Sequence, residues 1–203
     1  QAQKEVVHFG RISRKGFNYA AQAVSSTTGD EFDMYRNKLT KYEEISDRME
    51  LEIANYLHKI PTAEISIATS ESIRRIYSII SELESLGDSG ERIGNIIVRR
   101  NLHNKRFNEE ELKNIANMFD TVEHAYDVMI ANLISAADGK QVDLKSAQDA
   151  EVQINRLRND LRDEEMYKME GKADFLTSVY YLDLISELER MGDYIINVSQ
   201  ALV

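Results

Sequence analysis

Apolar residues return at three- and four-residue steps along most of the chain, the spacing of one buried helix face. Between Asp30 and Lys59 the stripe is Leu39, Tyr42, Ile45, Met49, Ile53 and Leu57. Between Ser70 and Asn101 it is Ile73, Ile76, Ile80, Leu83 and Ile93. Runs of β-branched and aromatic residues that would suit strands are scarce. The pattern predicts six helices: about 4–25, 30–59, 70–101, 108–137, 143–169 and 173–201. Asp30, Asn108 and Asp143 are the expected N-caps, with Glu111 completing a capping box on Asn108. Pro61, the SSTTGD and ADGK clusters and Gly171 mark the breaks. Every apolar stretch is interrupted well short of the roughly 18 residues that span a bilayer.

Composition narrows the chemistry. The chain has 203 residues, one Pro, 9 Gly, no Cys and no Trp. Disulfides, thiolate metal sites, Fe–S clusters and Cys nucleophiles are therefore excluded. The net charge of -10 disfavours nucleic acid as a partner. No secretory signal is visible.

An internal repeat organises the chain. Ser81–Asp88 reads SELESLGD and Ser186–Asp193 reads SELERMGD, identical at six of eight positions at an offset of 105 residues. Three helices precede the end of each copy. The expected architecture is all-α: two tandem three-helix bundles, 1–105 and 106–203, related by an internal pseudo-twofold.

The repeat carries acids. Glu84/Asp88 and Glu189/Asp193 are i, i+4 pairs on the third helix of each copy, one above the other on a face. Two carboxylates so placed repel unless a proton or cation lies between them. Each second helix carries a matching pair, Glu43/Asp47 in the first copy and Glu151/Asn155 in the second. Antiparallel helices bring level residues that are equidistant from the reversal. Glu151/Asp193 and Asn155/Glu189 share the midpoint 172, beside Gly171. Glu43/Asp88 and Asp47/Glu84 share 65.5, inside the hydroxyl-rich Pro61–Ser70. The pairs should therefore meet across each hairpin, roughly 26 Å from its turn at 1.5 Å per residue. Oxygen-only clusters of this kind suit hard cations. With Asn155 in place of an acid, the second cluster holds three carboxylates against four, and the first should bind more tightly. Gly87 and Gly192, beside these acids, serve either close helix packing or room for a metal.

SELESLGD and SELERMGD, each on the third helix of a duplicated three-helix unit, resemble the PhoU-like family. Its mark is an E(D)-x-x-x-D motif on two helices of each bundle, followed by an Asn one turn on. Asn197 stands in that position after Asp193; in the first copy Arg92 takes it, and Asn95 arrives later within ERIGN, Glu91–Asn95. The resemblance spans nearly the whole chain. It implies multinuclear iron or zinc-type clusters, thus divalent or trivalent metal ions on Glu43, Asp47, Glu84, Asp88, Glu151, Asn155, Glu189 and Asp193. It also implies a role in phosphate homeostasis, on the cytoplasmic side of the membrane. One branch of the family is a stand-alone regulator of phosphate uptake. The other is the cytoplasmic domain of sodium/phosphate cotransporter-like proteins. A chain opening on Gln1, directly in helix, looks more like the second. The expected partners are a phosphate transporter membrane domain or phosphate sensor proteins, and the fold allows a homodimer.

Other polar residues carry less. His8, His58, His103 and His124 do not repeat, and Glu5/His8 is a single E-x-x-H where di-iron enzymes need two. The doublets Arg74/Arg75 and Arg99/Arg100 read as solvated charge. Met118, Met129, Met166 and Met191 read as core. The glycines of GDSGERIGN do not follow a strand, so they are no nucleotide cradle. No nucleophile–base constellation is present and no enzymatic activity is expected. A metal-free helical scaffold for protein contacts is the rival reading.

Overall fold

The computed structural model describes residues 2–61, 65–172 and 175–203. Among them all regular structure is helical: α1 (Ala2–Ser25), α2 (Gly29–His58), α3 (Ile67–Leu102), α4 (Glu109–Ala137), α5 (Leu144–Met169) and α6 (Leu176–Ala201).

Local chemistry sets the ends. Asn108 accepts from the Glu111 backbone N–H at 2.9 Å, and Glu111 accepts from that of Asn108 at 2.8 Å. Asp143 accepts from the Ser146 backbone N–H at 2.9 Å. Asp30, expected as a cap, lies instead in the first turn of α2. Thr28 is the cap, accepting from Glu31 N–H at 3.2 Å, while Glu31 reaches back to Thr27 N–H at 3.0 Å. Asp30 keeps a favourable place near the positive end of the helix dipole. Ser66 caps α3 and starts it three residues earlier than the spacing predicts. The expected start of α6, Ala173, lies outside the described residues. Gly171 takes φ +77°, a left-handed conformation that glycine adopts without strain.

Helices α1, α2 and α3 pack on one another, as do α4, α5 and α6. Two seams join these sets: α1 against α4, and α3 against α6. The first seam is aromatic, with Phe17 packed on Phe119 and Tyr126 at ring separations of 5.3 and 5.1 Å. The buried Tyr126 hydroxyl pairs with Ser13 Oγ at 2.9 Å. The second seam is partly polar: the fully buried Ser89 Oγ of α3 donates to Glu187 Oε1 of α6 at 2.7 Å.

Polar contacts across the second seam are reciprocal. Glu187 of α6 accepts from Arg92 Nη1 of α3 at 3.4 Å, and Glu82 of α3 accepts from Asn197 Nδ2 of α6 at 3.2 Å. Both partners are shifted by the same 105 residues as the SELE repeat. Reciprocal pairing of this kind is what a twofold relation produces. The first Glu of each SELE thus serves the seam. The second Glu, two residues on, is rotated by roughly 200° and faces the other way. Asn197, placed by the resemblance in the metal motif, is spent on the seam.

Candidate metal centre

Glycine brings the first pair of acidic helices together. A Cβ on Gly87 of α3 would lie 2.8 Å from Ser46 Oγ and 2.9 Å from Ser46 Cβ on α2. Ser46 is buried, so this space is taken. The α5–α6 approach is equally tight: a Cβ on Gly192 would lie 2.9 Å from Ile154 Cδ1. Both glycines are therefore explained by close packing, which also sets the carboxylates face to face.

In the first half the acids converge. One carboxylate oxygen from each of Glu43, Asp47 and Asp88 lies within 4.8 Å of the others. Oxygens bound to one ion at roughly 2.0–2.4 Å are themselves no more than about 4–5 Å apart, so this spacing fits a shared cation. Glu84 stands at the edge of this group, close enough for Asp88 and Asp47 to act on its charge.

Two further acids lie within electrostatic reach of the cluster. Glu50 on α2 feels Asp47 and Asp88, and Glu91 on α3 acts on Glu43. Each lies seven residues beyond a predicted ligand, two turns along the same face. Six acids, three on each helix, thus act on one another's charge across α2 and α3. The donor set is carboxylate only, which suits hard ions and lacks the His or Cys of typical structural zinc sites. All four histidines are exposed, and Glu5 and His8 belong to no ligand cluster among the described residues.

Crowding raises proton affinity. Glu84 is pushed up to about 7, first by burial and then by Asp88, Glu50 and Asp47. Burial also raises Glu43, helped by Asp47, Glu91 and Asp88, and raises Glu50. The folded state therefore keeps protons that the unfolded chain, titrating near 4.5, has released. The stability these protons confer is full below about 4.5 and lost as pH climbs through about 7. Chelated protein should thus melt at falling temperature between about pH 5 and pH 8, with the slope reduced in Glu84→Gln. Equal slopes for the two proteins in a calorimetric series would defeat this assignment.

The second half differs. Among the described residues, Glu151, Asn155, Glu189 and Asp193 do not form a cluster of acidic ligand atoms. Asn155 Nδ2 donates to Glu151 Oε1 at 3.0 Å. Arg158 Nη2, absent from the sequence prediction, stands 3.3 Å from Glu189 Oε1. Burial still raises Glu189 and Asp193, with the neighbouring acids adding and Arg158 and Arg190 opposing.

Residues 113–202 match the family model described as the PhoU domain. In fold the chain is similar to PhoU. Its likeness in shape extends over both halves. PhoU from Pseudomonas aeruginosa superposes with a TM-score of 0.81 at 15% identity, covering 99% of this chain and 93% of that one. The phosphate transport system regulatory protein PhoU from Streptococcus pneumoniae gives 0.78 at 18% identity, covering 100% and 91%. These identities speak for the fold alone. No protein of curated function matches by sequence. The PhoU domain match falls on the half with the mixed cluster, whereas the fuller acidic cluster lies outside it. No helix is long and apolar enough to cross a membrane among the described residues.

Some basic and sulfur residues depart from expectation. Arg100 is buried, not solvated; its guanidinium lies 4.7 Å from the centre of the Phe107 ring and donates to Asn101. Burial and then Arg106 lower it to about 10. Met118, Met129 and Met191 are core, but Met166 is exposed. Arg92 joins the acidic cluster to the seam, with Nη2 3.4 Å from Asp88 and Nη1 3.4 Å from Glu187.

Proposed function

We propose that the chain is a regulatory domain of phosphate transport, working as the cytoplasmic PhoU-like part of a sodium-dependent phosphate symporter system. The observation that carries this reading is the convergence of Glu43, Asp47 and Asp88 on a PhoU-like fold. A divalent or trivalent ion held there neutralises the crowded carboxylates and clamps α2 to α3. Glu43, Asp47 and Asp88 would hold it, with Glu84, Glu50 and Glu91 within electrostatic reach. The clamped face then docks on the transporter's membrane domain or on a phosphate sensor, each three-helix half acting as one repeat.

The test is phosphate uptake by cells whose own copy of this chain is replaced by Glu43→Gln/Asp88→Asn. Uptake should lose its restraint at high external phosphate. Uptake and its response to phosphate that match wild type would sink the reading. Dependence on external sodium separates the symporter setting from a stand-alone regulator, which would act on sodium-independent uptake as well. A metal-free scaffold would leave the replaced chain fully active.

A further inference from the structure

The second half already contains a cation, and it is part of the chain. On the offset of 108 that relates Glu43 to Glu151 and Asp47 to Asn155, position 158 is the counterpart of Glu50. On the offset of 105 the counterpart of Glu91 is Ile196. The six acids of the first half therefore become three acids, one amide, one arginine and one isoleucine. The guanidinium is well placed to replace an ion. Arg158 and Glu189 are 3.3 Å apart with side chains only 25% and 18% exposed. The Asn155 amide takes up a Glu151 oxygen that a metal would need.

The leftover polar atoms point the same way. Asn155 Oδ1 and Arg158 Nε are both buried without a partner, one turn apart on α5. An acceptor and an N–H donor call for a water or for each other. A metal ion could satisfy only the acceptor and would face the positive guanidinium across a partly buried gap, where repulsion is strong.

We infer that residue 158 decides which half takes metal, and that Arg158 reserves cation binding in this chain for the first half. This rests on the first-half metal site proposed above. The α5–α6 hairpin is then held permanently by its own charge pair, while the α2–α3 hairpin depends on an ion. The two ends of the molecule would answer differently to metal, and only one would be a switch.

The experiment is Mn²⁺ titration of the 203-residue chain, followed by calorimetry and by the resonance of free Mn²⁺. Glu43→Gln/Asp88→Asn should weaken binding at least about 100-fold, leaving no second class of site. Adding Asn155→Asp/Arg158→Glu to that background should create a site in the second half. The milder Arg158→Gln, which removes only the charge, should gain at least about 10-fold in the same background. It keeps the test decisive if the fuller variant does not fold. Retention of half the wild-type Mn²⁺ by Glu43→Gln/Asp88→Asn would overturn the inference. So would folded Arg158 variants that gain nothing. Should wild type bind no Mn²⁺ while Asn155→Asp/Arg158→Glu binds it, the first-half site falls and the role of Arg158 stands. If neither binds, both fall.

Discussion

At pH 8, excess Mn²⁺ should raise the melting temperature of the chelated protein by roughly 5–10 °C. Ligand at about 100 times its dissociation constant stabilises by about 2.7 kcal/mol, and a chain of this size shifts by roughly 2–4 °C per kcal/mol. Unbound, the first-half acids repel one another, and burial strengthens that repulsion. The control carries a sign of its own. Glu43→Gln/Asp88→Asn removes two of the repelling charges, so without metal it should melt no lower than chelated wild type. It should also ignore Mn²⁺. A scaffold that binds no metal would show neither the shift nor its loss. Lowering the pH towards 5 should shrink the shift, because protons then occupy the carboxylates in place of the ion.

Leu83→Ala should cost about 2–5 kcal/mol, the range for a large aliphatic truncated in a packed core. Leu83 is fully buried in the core. At roughly 2–4 °C per kcal/mol the melting point falls by about 4–20 °C. Urea denaturation should give a lower midpoint at an unchanged slope. Its neighbours give the substitution a functional consequence. Leu83 sits between Glu82, which bonds Asn197 across the seam, and Glu84, which turns to the acidic cluster. Anchoring Leu83 fixes the rotation of α3 and so aims both carboxylates. Weaker Mn²⁺ binding should accompany the lost stability, although Leu83 ligates nothing. Glu84→Gln, by contrast, should stabilise the chelated protein at pH 8 by removing a charge that crowding disfavours. Opposite signs from adjacent residues separate the core from the site.

The helices were legible because little competes with them: one proline, few strand-like runs and a sustained helical period. Asn108 and Asp143 were readable as caps since each stands directly before its helix. Asp30 is not the cap because Thr28-x-x-Glu31 offers the better reciprocal pair, a pattern present in the sequence. Glu43, Asp47 and Asp88 followed from level-matching across the turn, which needs only helix geometry. Glu50, Glu91 and Arg158 do not show in pairs four apart; they lie at the seventh residue, to which the same helix face continues. The glycines had two readings in sequence; only their contacts with Ser46 and Ile154 show that packing requires them. Arg100 looked like surface charge, and nothing local announces that it is covered at the end of α3, with Phe107 beside it.

Each seam pairs a helix with its own counterpart, α1 with α4 and α3 with α6. That is the contact two identical three-helix chains would make on meeting. Either half cut free would bare both faces at once and would have to find a second copy of itself to cover them. Within one chain the two sets of helices cover these faces for each other. The two sides also need not match: Arg92 on one and Asn197 on the other, 105 residues apart, answer the same acid of the repeat with a charge in one case and an amide in the other, where identical subunits would carry the same side chain.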